Sequence, residues 1–490
     1  MTRPPTTPST TPSAGPSTAR SAGSAAAADG SAATAGPGPL VLDVLGPTGA
    51  YRARNRQVVP DLTGVPAVEL GLAPRLFVSR AMSALRTATP LPLDDRVAAI
   101  AGAGELFATA ELGGLTPAAY EHAVSRVAGI PLPVVRTATR TLARRTADLY
   151  RGLRFARPAG AVGDWRDPLT RTGRAVWARR GEVLAVHAAG NHPGTHSLWP
   201  EALALGYRVA VRPSRREPLT PHRLVTALRA AGFPDDHVVL LPAEHEAAGA
   251  MLRDADLAYG SDEVIREFAD DRSVLPLTPG RSKVLLTADS DWRRHLDTVV
   301  DSIAHHGGTG CVNATAVFVE GDPAPVAQAL AGRLAALPSL PPQDENAVLP
   351  AQSAASARIL EKYVLGRAEG ARPWLGGDGI VEELGDGSAV LRPAVFQLGR
   401  PDDPAAGTEV PFPCVWVCPW TREAWTAPLR DTLVLSAYTG DERLIDALLH
   451  EPSISNLHIG DHPTHWTDIG MPHDGYLADF LMRSKTVLRG

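Results

Sequence analysis

Apolar residues recur at three- and four-residue spacings across Arg96 to Thr109, Pro117 to Ala128 and Val134 to Gly152. That is the period of amphipathic helices packed on something larger. The last of these puts Arg136, Arg140 and Arg144 on one face, read as a solvated surface, with a phosphate-binding stripe as the alternative. From Glu182 the texture changes. Val183 to Ala188, Arg208 to Val211, Val238 to Leu241 and Leu257 to Tyr259 are short apolar runs separated by helical patterns, which predicts an open, mostly parallel sheet. Ligands of such sheets bind beyond the carboxyl ends of the strands. The segments that follow these runs include Gly190-Asn191-His192-Pro193, Arg212-Pro213-Ser214-Arg215 and Gly260-Ser261-Asp262-Glu263. From about Lys283 to Trp420 the same alternation returns, without internal repeats.

Composition narrows the picture. Residues 1–39 are nearly all Ser, Thr, Pro, Ala and Gly, with Arg3, Arg20 and Asp29 the only charges. Such a segment cannot bury enough apolar surface to offset ordering, and a disordered tail is expected. The rest of the 490 residues suffices for about three domains or two large ones. With 48 basic and 53 acidic residues the net charge is -5, which leaves no general electrostatic footprint for nucleic acid. The first residues lack an apolar core behind basic ones, and no run of about 18 apolar residues occurs, so neither secretion nor membrane spanning is expected.

The 3 cysteines, Cys311, Cys414 and Cys418, include no C-x-x-C pair, which excludes a disulfide framework and a four-cysteine zinc site and fits a reducing cytoplasm. Cys414 and Cys418 fall at even spacing on one face of an apparent strand and read as core. Cys311 follows His305-His306-Gly307-Gly308-Thr309-Gly310, a turn that lets backbone approach a substrate closely. There it is either a nucleophilic thiolate or a small buried residue.

Taken together, these segments resemble the aldehyde dehydrogenase superfamily from about residue 40 onward. The Asn turn is similar to Gly190-Asn191-His192-Pro193, the Lys-Pro-Ser-Glu strand end to Arg212-Pro213-Ser214-Arg215, and the Gly-Ser-x-x-Val helix start to Gly260-Ser261-Asp262-Glu263-Val264. The cysteine loop is matched by Gly310-Cys311-Val312-Asn313-Ala314, and the Glu-x-Phe segment by Glu409 to Phe412 with one extra residue. The resemblance implies an α/β fold of three parts. These are a Rossmann-type cofactor domain over residues 40–275 with a bridging hairpin near 161–180, an α/β catalytic domain over 276–460, and a C-terminal bridging and oligomerisation segment over 461–490.

It also implies roles. Cys311 attacks the aldehyde carbon and holds the acyl group as a thioester. The Asn191 amide and the Cys311 N–H form an oxyanion hole, with Asn191 as a mere turn former the alternative. Gly260 and Ser261 meet the cofactor pyrophosphate at a helix start. Arg212, Ser214 and Arg215 lie toward the adenosine ribose, and Glu409 and Phe412 toward the nicotinamide end. An aldehyde or acyl substrate, an acyl carrier such as coenzyme A, and a homodimer or tetramer follow from the same resemblance.

Two departures modify it. Hydrolytic members carry a glutamate about 34 residues before the cysteine, and here position 277, since 311 minus 277 is 34, is Leu277. Leucine cannot take a proton from water, so acyl transfer to a thiol is expected unless His192, His305 or His306 substitutes. The alternatives are a hydrolytic enzyme with another base and a non-catalytic partner subunit. In many members a carboxylate after Lys-Pro-Ser repels a 2'-phosphate. Here Arg215 and Arg216 follow Ser214, which favours NADP(H), with NAD(H) the alternative. His458, His462, His465 and His473, with Asp461 and Asp468 between them, match no zinc spacing, and no metal is expected. His465 and Trp466 are read as shaping the substrate entrance.

Overall fold

The computed structural model describes residues 38–261 and 263–489. The expected disordered tail, save its last two residues, lies outside the described residues.

Runs buried on both faces read as continuous apolar sequence, as parallel strands covered by helices require. Val183–His187 is one such run, and every residue in it is buried. It sits inside a seven-stranded sheet ordered Val274–Pro276, Leu257–Gly260, Val183–His187, Arg208–Arg212, Val238–Leu240, Val44–Gly46, Gly49–Tyr51. The first five strands are parallel and the last two antiparallel additions. The chain leaves Val183–His187 for the neighbour on one side and later returns to the other with Leu257–Gly260. That reversal opens a crevice at the carboxyl ends of the central strands.

A second seven-stranded sheet is ordered Arg372–Leu375, Ala394–Gln397, Cys414–Trp420, Ala314–Glu320, Ser282–Leu286, Thr432–Tyr438, Ile454–Ile459. All its pairs are parallel except the first. Cys414 and Cys418 are buried in its core beside Trp416 and Trp420, and burial pushes the Cys414 thiol up to about 12, which makes it inert. A small sheet joins Ala161–Val162, Arg174–Arg179 and the last strand, Met482–Val487, which runs antiparallel to Arg174–Arg179.

The three expected helices occur as Leu93–Thr109, Pro117–Ala128 and Leu132–Ala156. Pro117–Ala128 has local punctuation at both ends. The Thr116 hydroxyl accepts from the Ala119 N–H, Pro117 opens the helix, and Gly129 closes it at φ 72°. Arg136 pairs with Glu121 and Glu345, a surface role. Short strands between Leu40 and Gly71 had no counterpart in the apolar pattern, because most are only three residues long and give too few alternations to read. No helix among the described residues is long and apolar enough to cross a membrane.

Candidate active site around Cys311

The helix Leu296–Ala304 ends in a tight turn, His305–Gly308, in which His306 takes φ 52° and Gly307 φ 73°. The chain then rises to Cys311 before entering Ala314–Glu320. Asn313 fixes this loop from beneath. Its Oδ1 accepts from the Gly310 N–H at 2.9 Å, and its Nδ2 donates to the carbonyls of Ser302 at 3.2 Å and His305 at 3.0 Å. The Ser282 hydroxyl donates to the Cys311 carbonyl at 3.0 Å. Gly280 packs so closely that a Cβ there would run into the same carbonyl oxygen. The thiol is therefore presented on a rigid mount, half-buried.

His473 stands beside that thiol. Its Nε2 lies 3.3 Å from Cys311 Sγ, and its Nδ1 lies 3.4 Å from Asp474 Oδ1. Asn456 donates to the His473 carbonyl and, at 3.0 Å, to that of Leu433, which ties the His473 loop to the second sheet. Burial alone would lower the imidazole, but its hydrogen bonds to Asp474 and Cys311, with their charge, raise it to about 10. Burial would raise the Asp474 carboxyl, yet its bond to His473 holds it below its ordinary value. Cysteine, imidazole and carboxylate in line are the parts of an activated nucleophile.

Asn191 reaches the same loop from the first sheet, its Nδ2 donating to the Thr309 carbonyl at 3.2 Å. Among the described residues the Cys311 N–H donates to no acceptor. Two donors thus flank the thiol from opposite sheets. Leu277 follows the strand Val274–Pro276, its N–H donating to the Gly260 carbonyl at 2.6 Å, and its half-buried side chain packs against the core of the first sheet.

The crevice of the first sheet gathers the other expected positions. Gly190 approaches Ser214, and Gly260 approaches the His187 carbonyl, so closely that a Cβ at either glycine would collide. Ser261 follows Gly260 and precedes a helix of four residues, Glu263–Arg266; Asp262 lies outside the described residues. Arg212 donates to the Ala243 carbonyl at 3.2 Å. Arg215 is ion-paired with Glu244 at 2.6 Å, so a 2'-phosphate would have to compete with that carboxylate. Arg216 is exposed, with no ion pair among the described residues. Glu409 Oε2 accepts from the Arg281 N–H at 2.7 Å and faces a cleft lined by Arg281, Tyr363, Arg367 and Thr408. Burial raises its carboxyl, against the N–H groups of Arg281 and Gly280. Phe412 is 2% exposed and packs within the core of the second sheet.

The remaining histidines stack. The ring pairs His192–His306, His306–His305 and His305–His465 have centroids 5.1, 3.9 and 3.6 Å apart. Burial lowers His192 to about 4, His306 to about 3 and His465 to about 4, and each neighbouring imidazole adds to the shift. His192 accepts from the Gly194 N–H at 3.0 Å through Nδ1, which holds its ring in the turn. Trp466 is 47% exposed and packs against His458 and His462.

The model of the aldehyde dehydrogenase family matches residues 189–478, more than half of the chain and the whole of this site. The chain belongs to the aldehyde dehydrogenase family. Among curated proteins it is similar to aldehyde dehydrogenase 1A1 of Equus caballus, 33% identical over 143 residues, and to that of Mus musculus, 34% identical over 148 residues. Each match covers 26% of this chain and 28% of the relative. Among solved structures it is similar to the NAD-dependent aldehyde dehydrogenase of Sinorhizobium meliloti, with a TM-score of 0.75 and 21% identity, covering 92% of this chain and 94% of that one. The aldehyde dehydrogenase of Bacillus cereus in its NAD+ complex gives a TM-score of 0.76 at 16% identity, covering 91% and 96%. At these identities the structures establish the aldehyde dehydrogenase fold.

Within that fold the residue that sequence reasoning missed is His473. The sequence places it among several C-terminal histidines with no zinc spacing and gives it no role, whereas the loop brings it across 162 positions to Cys311. The adjacent His-Asp pair was the one available signal.

Proposed function

We propose that the protein is an NAD(P)-dependent enzyme that interconverts an aldehyde and an acyl thioester through Cys311. The single observation that carries this reading is the 3.3 Å contact between Cys311 Sγ and His473 Nε2, taken with Leu277 at the sequence position where the resemblance puts a hydrolytic enzyme's carboxylate. His473 takes the thiol proton, and Asp474 steadies the resulting imidazolium. The Cys311 sulfur adds to the aldehyde carbon. The oxygen that becomes negative is met by the Cys311 N–H and by Asn191 once its amide leaves the Thr309 carbonyl, so these donors act where charge develops. A nicotinamide dinucleotide held in the crevice would supply the acceptor for the hydride of this adduct, which would leave a thioester on Cys311. With the thioester formed, His473 gives its proton to solvent; attack by an acceptor thiol then releases the acyl group, the acceptor's proton passing to His473 while Cys311 leaves as its thiolate.

The crevice fits a dinucleotide, since the close approaches at Gly190 and Gly260 leave no room for side chains and three arginines stand at its rim. Arg212, Ser214, Arg215 and Arg216 would hold the adenosine ribose and its phosphate, Gly260 and Ser261 the pyrophosphate, and Glu409 the nicotinamide ribose, with NADP(H) preferred. Residues 40–275 form the cofactor domain and 276–460 the catalytic domain. The strand Met482–Val487, with four consecutive exposed residues, pairs across a subunit boundary in a homo-oligomer. Three free cysteines suit a reducing cytoplasm.

Hydrolysis is the second reading, and one observation favours it. His473 Nε2 lies 3.3 Å from Cys311 Sγ, so once the sulfur is acylated and His473 has given up its proton, the imidazole stands beside the thioester, where it can draw a proton from water. Mixing the protein with NADP and a panel of aldehydes, without a thiol acceptor, separates the two. Acyl transfer predicts a stoichiometric burst of NADPH and a persistent mass adduct on Cys311 that coenzyme A discharges. Steady NADPH production without a lasting adduct would establish hydrolysis.

A further inference from the structure

Three side chains from separate segments converge on one side of the cysteine loop. Asp301 belongs to the helix Leu296–Ala304, His305 to the turn that follows it, and His465 to the C-terminal loop. Their ligand atoms all lie within 4.8 Å of one another. Asp301 Oδ1 is 3.7 Å from His305 Nδ1, and Asp301 Oδ2 is 3.4 Å from His465 Nε2. The longer of these exceeds a hydrogen bond, and the shorter is at its outer edge. Both are close to the spacing of two ligands that share a tetrahedral ion, about 3.3 Å for metal bonds of roughly 2.0–2.1 Å.

We propose that Asp301, His305 and His465 form a binding site for a divalent transition metal of the Zn2+ class. Two imidazoles and one carboxylate are a donor set suited to Zn2+ and Co2+, and less so to Mg2+ or Ca2+, which prefer all-oxygen sites. Asp301 is 54% exposed, which leaves an entry path and a fourth position for water, whereas His465 is 16% exposed and anchors the site from within. Binding turns His305 and His465 out of their parallel stack, now at 4°, so that their nitrogens converge.

The site joins two segments that matter to the thiol. His305 lies six residues before Cys311, and His465 eight before His473, so an ion between them ties the cysteine loop to the loop that carries its base. This inference concerns metal binding alone and stands apart from the reaction proposed above.

The test uses the full chain in a Cys311→Ala background, which removes the thiolate and imidazole pair as a competing site, stripped with chelator and titrated with Co2+ alone. The expected result is one Co2+ per chain with the intense visible absorption of tetrahedral coordination, and a raised melting temperature. Asp301→Asn, at an exposed position that does not threaten folding, and His465→Gln should each weaken binding by about 100-fold or more, at least what loss of an outer-shell partner costs. His462→Gln, in the same loop, should leave it unchanged. Absence of stoichiometric Co2+ in the parent, or undiminished affinity in Asp301→Asn, would overturn the proposal.

Discussion

His473 and the stacked histidines His192, His306 and His465 surround the same cysteine loop, yet they are held in opposite states. His473 is raised to about 10, whereas the stacked rings are lowered to about 3 or 4. Burial pushes all four the same way, toward the neutral form. What separates them is the partner. His473 faces a thiol and a carboxylate, while the stacked rings face one another, and His465 alone of the three adds a carboxylate, Asp301 at 3.4 Å, on one nitrogen. A histidine-rich neighbourhood is therefore not a base by composition. Only the imidazole with a thiol on one nitrogen and a carboxylate on the other is set to carry charge.

The largest effect that could break this contrast is on turnover. His473→Ala should lower kcat with aldehyde and NADP by roughly 100-fold or more, the usual contribution of a positioned general base, whereas His192→Leu should change it less than about threefold, within what tolerated core changes allow. Steady-state kinetics on the two variants would show it, and equal losses would erase the distinction.

Next comes Leu277→Glu. A carboxylate restored at this position should speed discharge of the acyl adduct to water by about tenfold or more, read as decay of the mass adduct. An unchanged decay would mean that His473 alone decides the fate of the thioester. Arg216→Glu should then raise KM for NADP about tenfold relative to NAD, in line with loss of one charge-assisted contact to phosphate. Equal changes for both cofactors would place Arg216 outside the adenosine site.

The smallest effect is on stability in acid. For His192, His306 and His465 the folded value lies below the ordinary 6.5, so in acid the unfolded chain takes up protons that the native state excludes. Their stabilising contribution is complete above about pH 6.5 and is lost as pH falls toward 4 and 3. His473 has the opposite sign. Its contribution is complete below about pH 6.5 and is lost as pH rises through about 10. Melting temperature measured from pH 7 to 4 should fall, and His192→Leu should flatten the slope.

Local signals made much of this legible in the sequence. The fully buried strands, the Asn191 turn and the glycine-rich approach to Cys311 are written in contiguous residues. The rest depends on approaches between distant segments. Nothing near Cys311 announces His473, nothing in the Arg212 to Arg216 stretch announces Glu244, and Asp301 with His465 becomes a cluster only when the C-terminal loop is in place. The strands between Leu40 and Gly71 are held by pairing with one another and with distant strands, not by a pattern of their own.

The central claim is that His473 keeps Cys311 reactive. The most direct measurement is the rate at which iodoacetamide alkylates Cys311 at pH 7 in the full chain without cofactor, compared between the parent and His473→Ala. An ordinary thiol is only a few per cent ionised there, so the variant should react at least about tenfold more slowly. Equal rates would mean that the contact between Cys311 and His473 does not activate the thiol.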